Sequence, residues 1–376
     1  MRMCSEVLRA FAARTVTVGW CKLERWRAKE GSGLGVKFST AVVLMMATSS
    51  HAAATTLFSA NGRYASFPVV IERTVAHILY DRSSDSVLRV ETRSPTERVT
   101  GVHPSRMDDD RIIVVTASKR MDADPPSADT TIYACDVPRS VCEPIHTRSG
   151  YAVSPIETEF GLFFAASPVR VRDFHLPPFD KRPHVEQWDL YLLTDAGAVE
   201  RRSNLELFNL HTLTVGNGRL AFMTSDSSRD DDRNERGATS WVYGTTFDRD
   251  TRITEGDVFD PLVTVGDWYT TGPSLANDAP LIAVRAQFDD GSRGWKRRAS
   301  IAVVDYSTDR TVGVIAPEQG AELTTPAFLP GGEVSFARIE ADKASIMAFD
   351  VLTRLERVLA TPSLIRSGPI MNKNIL

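Results

Sequence analysis

The amino-acid sequence predicts an all-β protein: a β-propeller of four-stranded antiparallel blades, six in number, with a seventh left open. Three observations predict it. Pairs of short strands joined by tight turns recur along the chain. Another alternating or apolar strand precedes each pair. A short run centred on proline or threonine precedes most of those strands.

The unit is plainest at residues 326–362, PAFLPGGEVSFARIEADKASIMAFDVLTRLERVLATP. A proline leads a short extended run, and Gly-Gly turns the chain into EVSFARI. A polar loop then precedes ASIMAFD, and a second turn leads into RLERVLA. The closing hairpin recurs as VLRVETRSPTERV at 87–99, TIYACDVPRSVCEPI at 131–145 and WDLYLLTDAGAVERRS at 188–203. It appears again as WVYGTTFDRDTRIT at 241–254 and SIAVVDYSTDRTVGVIA at 300–316. The strands ahead of these pairs are AHILYD, RIIVVTASKR, GLFFAASPVR, RLAFMTSD, LIAVRAQFDD and EVSFARIEAD. Pro104, Pro155, Pro273 and Pro326 mark the leading runs. A four-stranded sheet cannot bury both faces alone, but sheets packed face to face in a ring cover one another and leave no long open edge.

Closure requires the chain ends to share a blade. The tail LIRSGPIMNKNIL reads as another first strand, with Gly368-Pro369 matching Gly272-Pro273, and would complete the blade formed by residues 76–99. SFPVVIERT at 66–74 competes for that place. If both are used, ATTLFSANGRYAS, with an Asn61-Gly62 hairpin turn, contributes to a seventh blade.

The chain has 376 residues, 42% hydrophobic and 24% charged, with a net charge of −4. This is an ordinary soluble balance, without the basic surplus a nucleic-acid partner demands. The N-terminal region differs. Lys37, the apolar run FSTAVVLMMAT and the small-residue stretch SSHAAA form a secretory signal peptide over residues 37–54, cleaved after Ala52 or Ala54. The apolar run is shorter than the roughly 20 residues of a permanent membrane anchor. Residues 1–36 are then a doubtful leader, consistent with a true start near Leu34 or Val36, and 55–376 form one propeller domain. The GSGLG at 31–35 follows no strand and is set aside as a nucleotide motif. The expected location is periplasmic, or secreted after cleavage.

Cys135 and Cys142 flank the turn of one hairpin, where cross-strand neighbours lie within disulfide reach. An oxidising compartment predicts that they are joined. Free thiols, or half of a metal site, are the alternatives, although zinc needs about four ligands and the mature chain holds no second cysteine pair.

Candidate binding residues fall in the long loops between second and third strands, which a propeller gathers on one rim. RVRDFHLPPFDKRPHVEQ offers Phe174, His175, Phe179 and His184. GSRGWKRR places Arg293, Lys296 and Arg297 around Trp295, a cluster suited to a carboxylate, phosphate or glycan. DSSRDDDRNERG sets Asp230, Asp232 and Asn234 at alternate positions, a weak calcium candidate. An EF-hand-type loop wants Gly next and a Glu later, where Glu235 and Trp241 stand. The plainer reading of all three is a solvated or rim-packing loop. No G-x-S-x-G, H-E-x-x-H or phosphate-loop motif occurs.

PAFLPGGEVSFA and WDLYLLTDAGAVERRS resemble the repeats of TolB-type propellers, and the resemblance extends over about residues 60–376. The Ser-Pro-Asp-Gly turn typical of that family is nowhere intact. Too little chain precedes the first blade for the separate N-terminal domain of the family's type member, so partner binding is not carried over. The resemblance implies a six-bladed ring. The functional expectation is a non-catalytic, cofactor-free binding or protein-interaction module of the cell envelope. Its partner is expected to be a protein or glycan, and the chain a monomer or part of a complex. The alternative is a carbohydrate-active hydrolase or lyase with its site at the channel mouth.

Overall fold

The computed structural model describes residues 57–59, 61–71, 74–84, 86–92, 96–120, 127–167, 188–205, 210–225, 240–248, 252–253, 269–288, 298–318, 321–340, 343–360 and 371–373. Among them every regular element is a strand, arranged in six sheets. No helix among them is long and apolar enough to cross a membrane.

Blade 1 holds β1 (Leu57–Phe58), β2 (Tyr64–Ile71), β3 (Thr74–Asp81) and β4 (Ser86–Val90). Blade 2 holds β5 (Glu97–Pro104), β6 (Arg111–Arg120), β7 (Ser127–Asp136) and β8 (Val141–Ser149). Blade 3 holds β9 (Tyr151–Thr158), β10 (Gly161–Ser167), β11 (Asp189–Leu193) and β12 (Val199–Arg201). Blade 4 has three described strands, β13 (His211–Gly216), β14 (Arg219–Ser225) and β15 (Ser240–Thr246). Blade 5 holds β16 (Tyr269–Leu275), β17 (Leu281–Phe288), β18 (Arg298–Asp305) and β19 (Arg310–Ile315). In blade 6 the first strand is broken into β20 (Ala321–Leu323) and β21 (Ala327–Phe328). Both pair with β22 (Val334–Glu340), which leads to β23 (Lys343–Phe349) and β24 (Glu356–Ala360). The last described strand, β25 (Met371–Lys373), pairs parallel with β4.

The core lies between blades, which explains why the second strands read as continuous apolar runs. Successive residues of one strand face opposite neighbours. Ile112 and Val114 pack on Leu79 and Leu88 of blade 1, whereas Ile113 joins Ile132 against Leu162 and Phe164 of blade 3. Phe163 and Leu192 meet Leu220 and Phe222, and Ala221 and Met223 meet Ile282 and Val284. Ala283 and Val303 meet Val334 and Phe336, and Ile346 and Ala348 meet Ile78 and Tyr80 of blade 1. Six interfaces join six blades, so the ring closes without a seventh. Each large side chain buried this way contributes roughly 1.5–3 kcal/mol.

Blade 1 is phased one strand later than the sequence suggests. The Asn61-Gly62 turn does join two strands, with Gly62 at φ 69°, but they are the first and second strands of blade 1 rather than part of an extra blade. AHILYD is therefore a third strand. VLRVETRSPTERV is not a hairpin: β4 pairs with β3, and β5 pairs with β6 of the next blade. Within the tail the described residues Met371–Lys373 form no inner strand, a place that β1 already fills. They lie outside β4 instead, with Met371 opposite Leu88. In blade 4, Ile253 does not pair with β15 but forms a parallel bridge to Ser203 of blade 3 and joins the core between those blades. The Cys135–Cys142 disulfide is present. These residues oppose each other across β7 and β8, with Cα atoms 4.0 Å apart.

Three of the four recurring prolines mark an irregularity of the inner strands that blade 4 shares, whereas Pro104 stays paired opposite Ile112. Pairing skips Ser154-Pro155, Thr212-Leu213 and Gly272-Pro273, and Thr325-Pro326 falls in the gap between β20 and β21. Ser154, Thr212 and Gly272 have φ of 52°, 56° and 58°. At Gly272 a side chain is excluded twice over: by φ, and because a Cβ would stand 2.2 Å from Thr325 Cγ2 of blade 6.

Candidate functional site

The bulges push the inner strands into the ring's centre, where they wall a channel. Its lining comes from all six blades: Phe58, His103 to Arg106, Pro155 to Glu157, Thr212 to Thr214, Pro273 and Ser274, and Pro326 to Phe328. The space between these walls, with the open solvent at the mouth counted in, is about 640 Å³. The wall is mostly proline and apolar side chains.

Hydroxyls that line or flank the channel fasten one blade to the next. Phe328 N donates to Ser274 Oγ (2.9 Å), Leu275 N to Thr214 Oγ1 (3.1 Å) and Thr212 N to Ser154 Oγ (2.9 Å). The two residues with strained, positive φ are thus bonded to each other across blades 4 and 3. Ser66 Oγ donates to Val102 O (2.6 Å) between blades 1 and 2.

Among the described residues, three ionisable side chains line the channel. Glu157 faces Arg111, whose Nε stands 3.1 Å from Glu157 Oε1, and its other oxygen is buried without a hydrogen bond among the described residues. His103 folds back over Gly101, where a Cβ would meet its Nε2 at 2.6 Å. Burial, helped by the nearby His77, pushes the His103 imidazole down to about 3, and burial pushes His77 down to about 4. Both rings are neutral at pH 7. Arg106 reaches from the first turn of blade 2 across the ring axis. Its Nη1 donates to Val215 O of blade 4 (2.6 Å) and its Nη2 to Asn277 Oδ1 in the first turn of blade 5. Burial lowers its pKa.

Arg106 closes the channel at one face. The first turns of several blades meet there: Asn61 N donates to Asp109 Oδ1 (2.8 Å), Arg63 bonds Asp110 (2.6 Å), and Asn217 N donates to Asn277 O (3.0 Å). Antiparallel pairing puts the third-to-fourth-strand turns on this same face. Five of the seven exposed large apolar side chains among the described residues belong to it: Met107, Val141, Val199, Leu352 and Leu355.

The sequence-predicted rim residues Phe174, His175, Phe179, His184, Asp230, Asp232, Asn234, Arg293, Trp295, Lys296 and Arg297 lie outside the described residues. The strand ends that flank them, Ser167 and Asp189, Ser225 and Ser240, Phe288 and Arg298, stand at the opposite end of their blades from Arg106. Among the described residues no group of three or more His, Cys, Asp or Glu could hold a metal. Sequence reasoning missed Arg106, Glu157 and His103. A signal existed: Arg106, Glu157, Leu275 and Phe328 each stand two residues after a recurring proline, so aligning the units on proline exposes two charged residues at a wall position.

No family model matches the chain, and no curated protein matches it. Solved structures do. TolB from Acinetobacter baumannii is similar at 15% identity and TM-score 0.47, over 81% of this chain and 62% of that one. An acylaminoacyl peptidase in complex with Z-Gly-Gly-Phe-chloromethyl ketone is similar at 15% identity and TM-score 0.49, over 83% of this chain and 46% of that one. An oligogalacturonate lyase in complex with manganese is similar at 13% identity and TM-score 0.49, over 82% of this chain and 76% of that one. The chain thus spans less than two thirds of the TolB and peptidase chains. What those proteins bind or cleave belongs to them.

Proposed function

We propose that this chain is an exported, non-catalytic β-propeller that binds a protein or glycan of the cell envelope, in the periplasm or after secretion. The observation that carries the reading is the five exposed apolar side chains that the described residues place on the turn face, led by Leu352, 94% exposed, and Leu355, 68% exposed. A face that gathers five such side chains around a closed ring supports contact with a protein surface. The Cys135–Cys142 disulfide fits an oxidising compartment. The carbohydrate-active alternative draws on Glu157 and His103 in the channel wall, but Arg111 already holds one oxygen of Glu157.

The test is site-specific photocrosslinking in the cell of origin. A photoreactive residue at Leu352 should give a discrete adduct with an envelope protein. One at Thr311, on the outer strand of blade 5, should not. Equal adducts from both sites, or none from Leu352, would remove the reading.

A further inference from the structure

We infer that the channel is a binding site for a small monocarboxylate with an apolar body, its carboxylate held by Arg106 and its body against Pro155, Ile156, Pro273, Pro326 and Phe328. This goes beyond the proposed interaction face, since it concerns the interior of the ring and a different class of ligand.

Arg106 stands in a largely apolar channel, and both of its described partners, Val215 O and Asn277 Oδ1, are neutral acceptors. A guanidinium has five N–H donors. Two are used here, and the other three have no acceptor among the described residues. A cation in such surroundings, without an anion beside it, is costly to keep charged. The rest of the lining does not supply that anion: Glu157 sits against Arg111, and His103 is neutral. Counting Arg111 behind Glu157, the wall and its ion-pair partners among the described residues therefore carry one positive charge in excess.

That excess defines the ligand. A single carboxylate supplies one negative charge and accepts charge-assisted hydrogen bonds from the free donors. A phosphate dianion would leave a second charge uncompensated among prolines and Phe328. An uncharged amide would leave Arg106 without its counter-charge. Proline and aliphatic walls favour an alkyl or aryl body over a polyhydroxylated one, because the hydroxyls nearest the wall are already engaged between blades. The site is also preorganised. Arg106 is tied to blades 4 and 5 before any ligand arrives, so little ordering cost falls on binding.

Isothermal titration of the full chain with hexanoate, hexanamide and inorganic phosphate tests the inference. Hexanoate should bind saturably, and hexanamide and phosphate at least about tenfold more weakly, the ratio expected when a charge-assisted hydrogen bond is lost. Arg106→Gln should weaken hexanoate to the level of hexanamide while a circular-dichroism melt shows it folded. Should that variant unfold, the acid-to-amide comparison on the unaltered protein decides alone. Absence of saturable hexanoate binding overturns the inference, as does hexanamide or phosphate binding as tightly as hexanoate. Failure here leaves crosslinking at Leu352 untouched, and the reverse holds, so the two proposals fail separately.

Discussion

Acidification from pH 7 to pH 5 should weaken the fold through His77 and His103. Their folded pKa values, about 4 and about 3, lie below the ordinary 6.5 of an exposed imidazole. The unfolded chain therefore binds more protons than the folded one throughout this window. Stability is fully present above pH 6.5 and is lost as pH falls below it, down to the folded values. Near pH 5 each unfolded imidazole is almost wholly protonated and each folded one almost wholly neutral, so linkage gives a loss of about 2 kcal/mol per ring and about 4 in total. Because pH 5 lies above both folded values, this magnitude depends little on how far below 5 they fall. His146, lowered by burial and then by Arg148, acts in the same direction. Asp81 acts elsewhere: burial pushes its carboxyl up, but hydrogen bonds from Arg63 and Ser83 prevail and hold it at about 2, so its contribution is lost only below about pH 4. Urea unfolding at pH 5, 6, 7 and 8 measures the slope, and the double variant His77→Gln/His103→Gln should flatten most of it. A slope unchanged in that variant would show that neither ring is held neutral by the fold.

Two further outcomes follow from the geometry. Replacing Cys135 and Cys142 with Ser should lower stability by about 2–3 kcal/mol in urea unfolding, the chain-entropy value for a loop this short, and a reductant should then have no further effect. Gly272→Ala should cost about 2–4 kcal/mol, because positive φ and overlap with Thr325 Cγ2 act together. Gly197→Ala, also at positive φ (81°) but with nothing within 4 Å of the new Cβ, should cost distinctly less; equal losses would show that the contact with blade 6 contributes nothing.

The ring was legible where chemistry punctuates it. Asp-marked turns and alternating strands located the third and fourth strands of blades 2, 3, 5 and 6, and the cysteine pair fell on facing positions because β7 and β8 stay in one register from Tyr133 to the turn. Phase was lost where the signal is shortest. β1 is only two residues long, Leu57–Phe58, so nothing in its own pattern distinguishes a first strand from a lead-in. Once it is missed, every later strand of blade 1 is displaced by one. The parallel β25 was misread for a related reason: Gly368-Pro369 copies an inner-strand motif, yet the inner position was already filled and only the outer edge of β4 lay open to pairing. Arg106 escaped notice because in SRMDDDR it looks like one more solvated turn charge. Its role depends on Val215 and Asn277, two blades and three blades away, and no local pattern carries that distance.

The same repeat that makes the ring stable makes its centre available for binding. An inner strand in regular register would direct its donors and acceptors only at its own blade. At Ser154 and Thr212 the chain accepts positive φ in non-glycine residues, a local cost of about 1–3 kcal/mol each, and breaks the ladder with the second strand. In return Thr212 N–H meets Ser154 Oγ, and two blades are fastened at the axis rather than only through their apolar faces. Strands fastened at the axis cannot draw together to fill the central space, so the channel persists, and Arg106, Glu157 and Phe328, each two residues beyond a proline, stay on its wall, while Leu275 at the same position in blade 5 joins the core. Three of the four prolines have an apolar residue or a compensated charge at that position. Arg106 alone of the four presents a charge with only neutral partners among the described residues, and it does so from a turn tied across the ring, where relaxation toward solvent would break its bonds to blades 4 and 5.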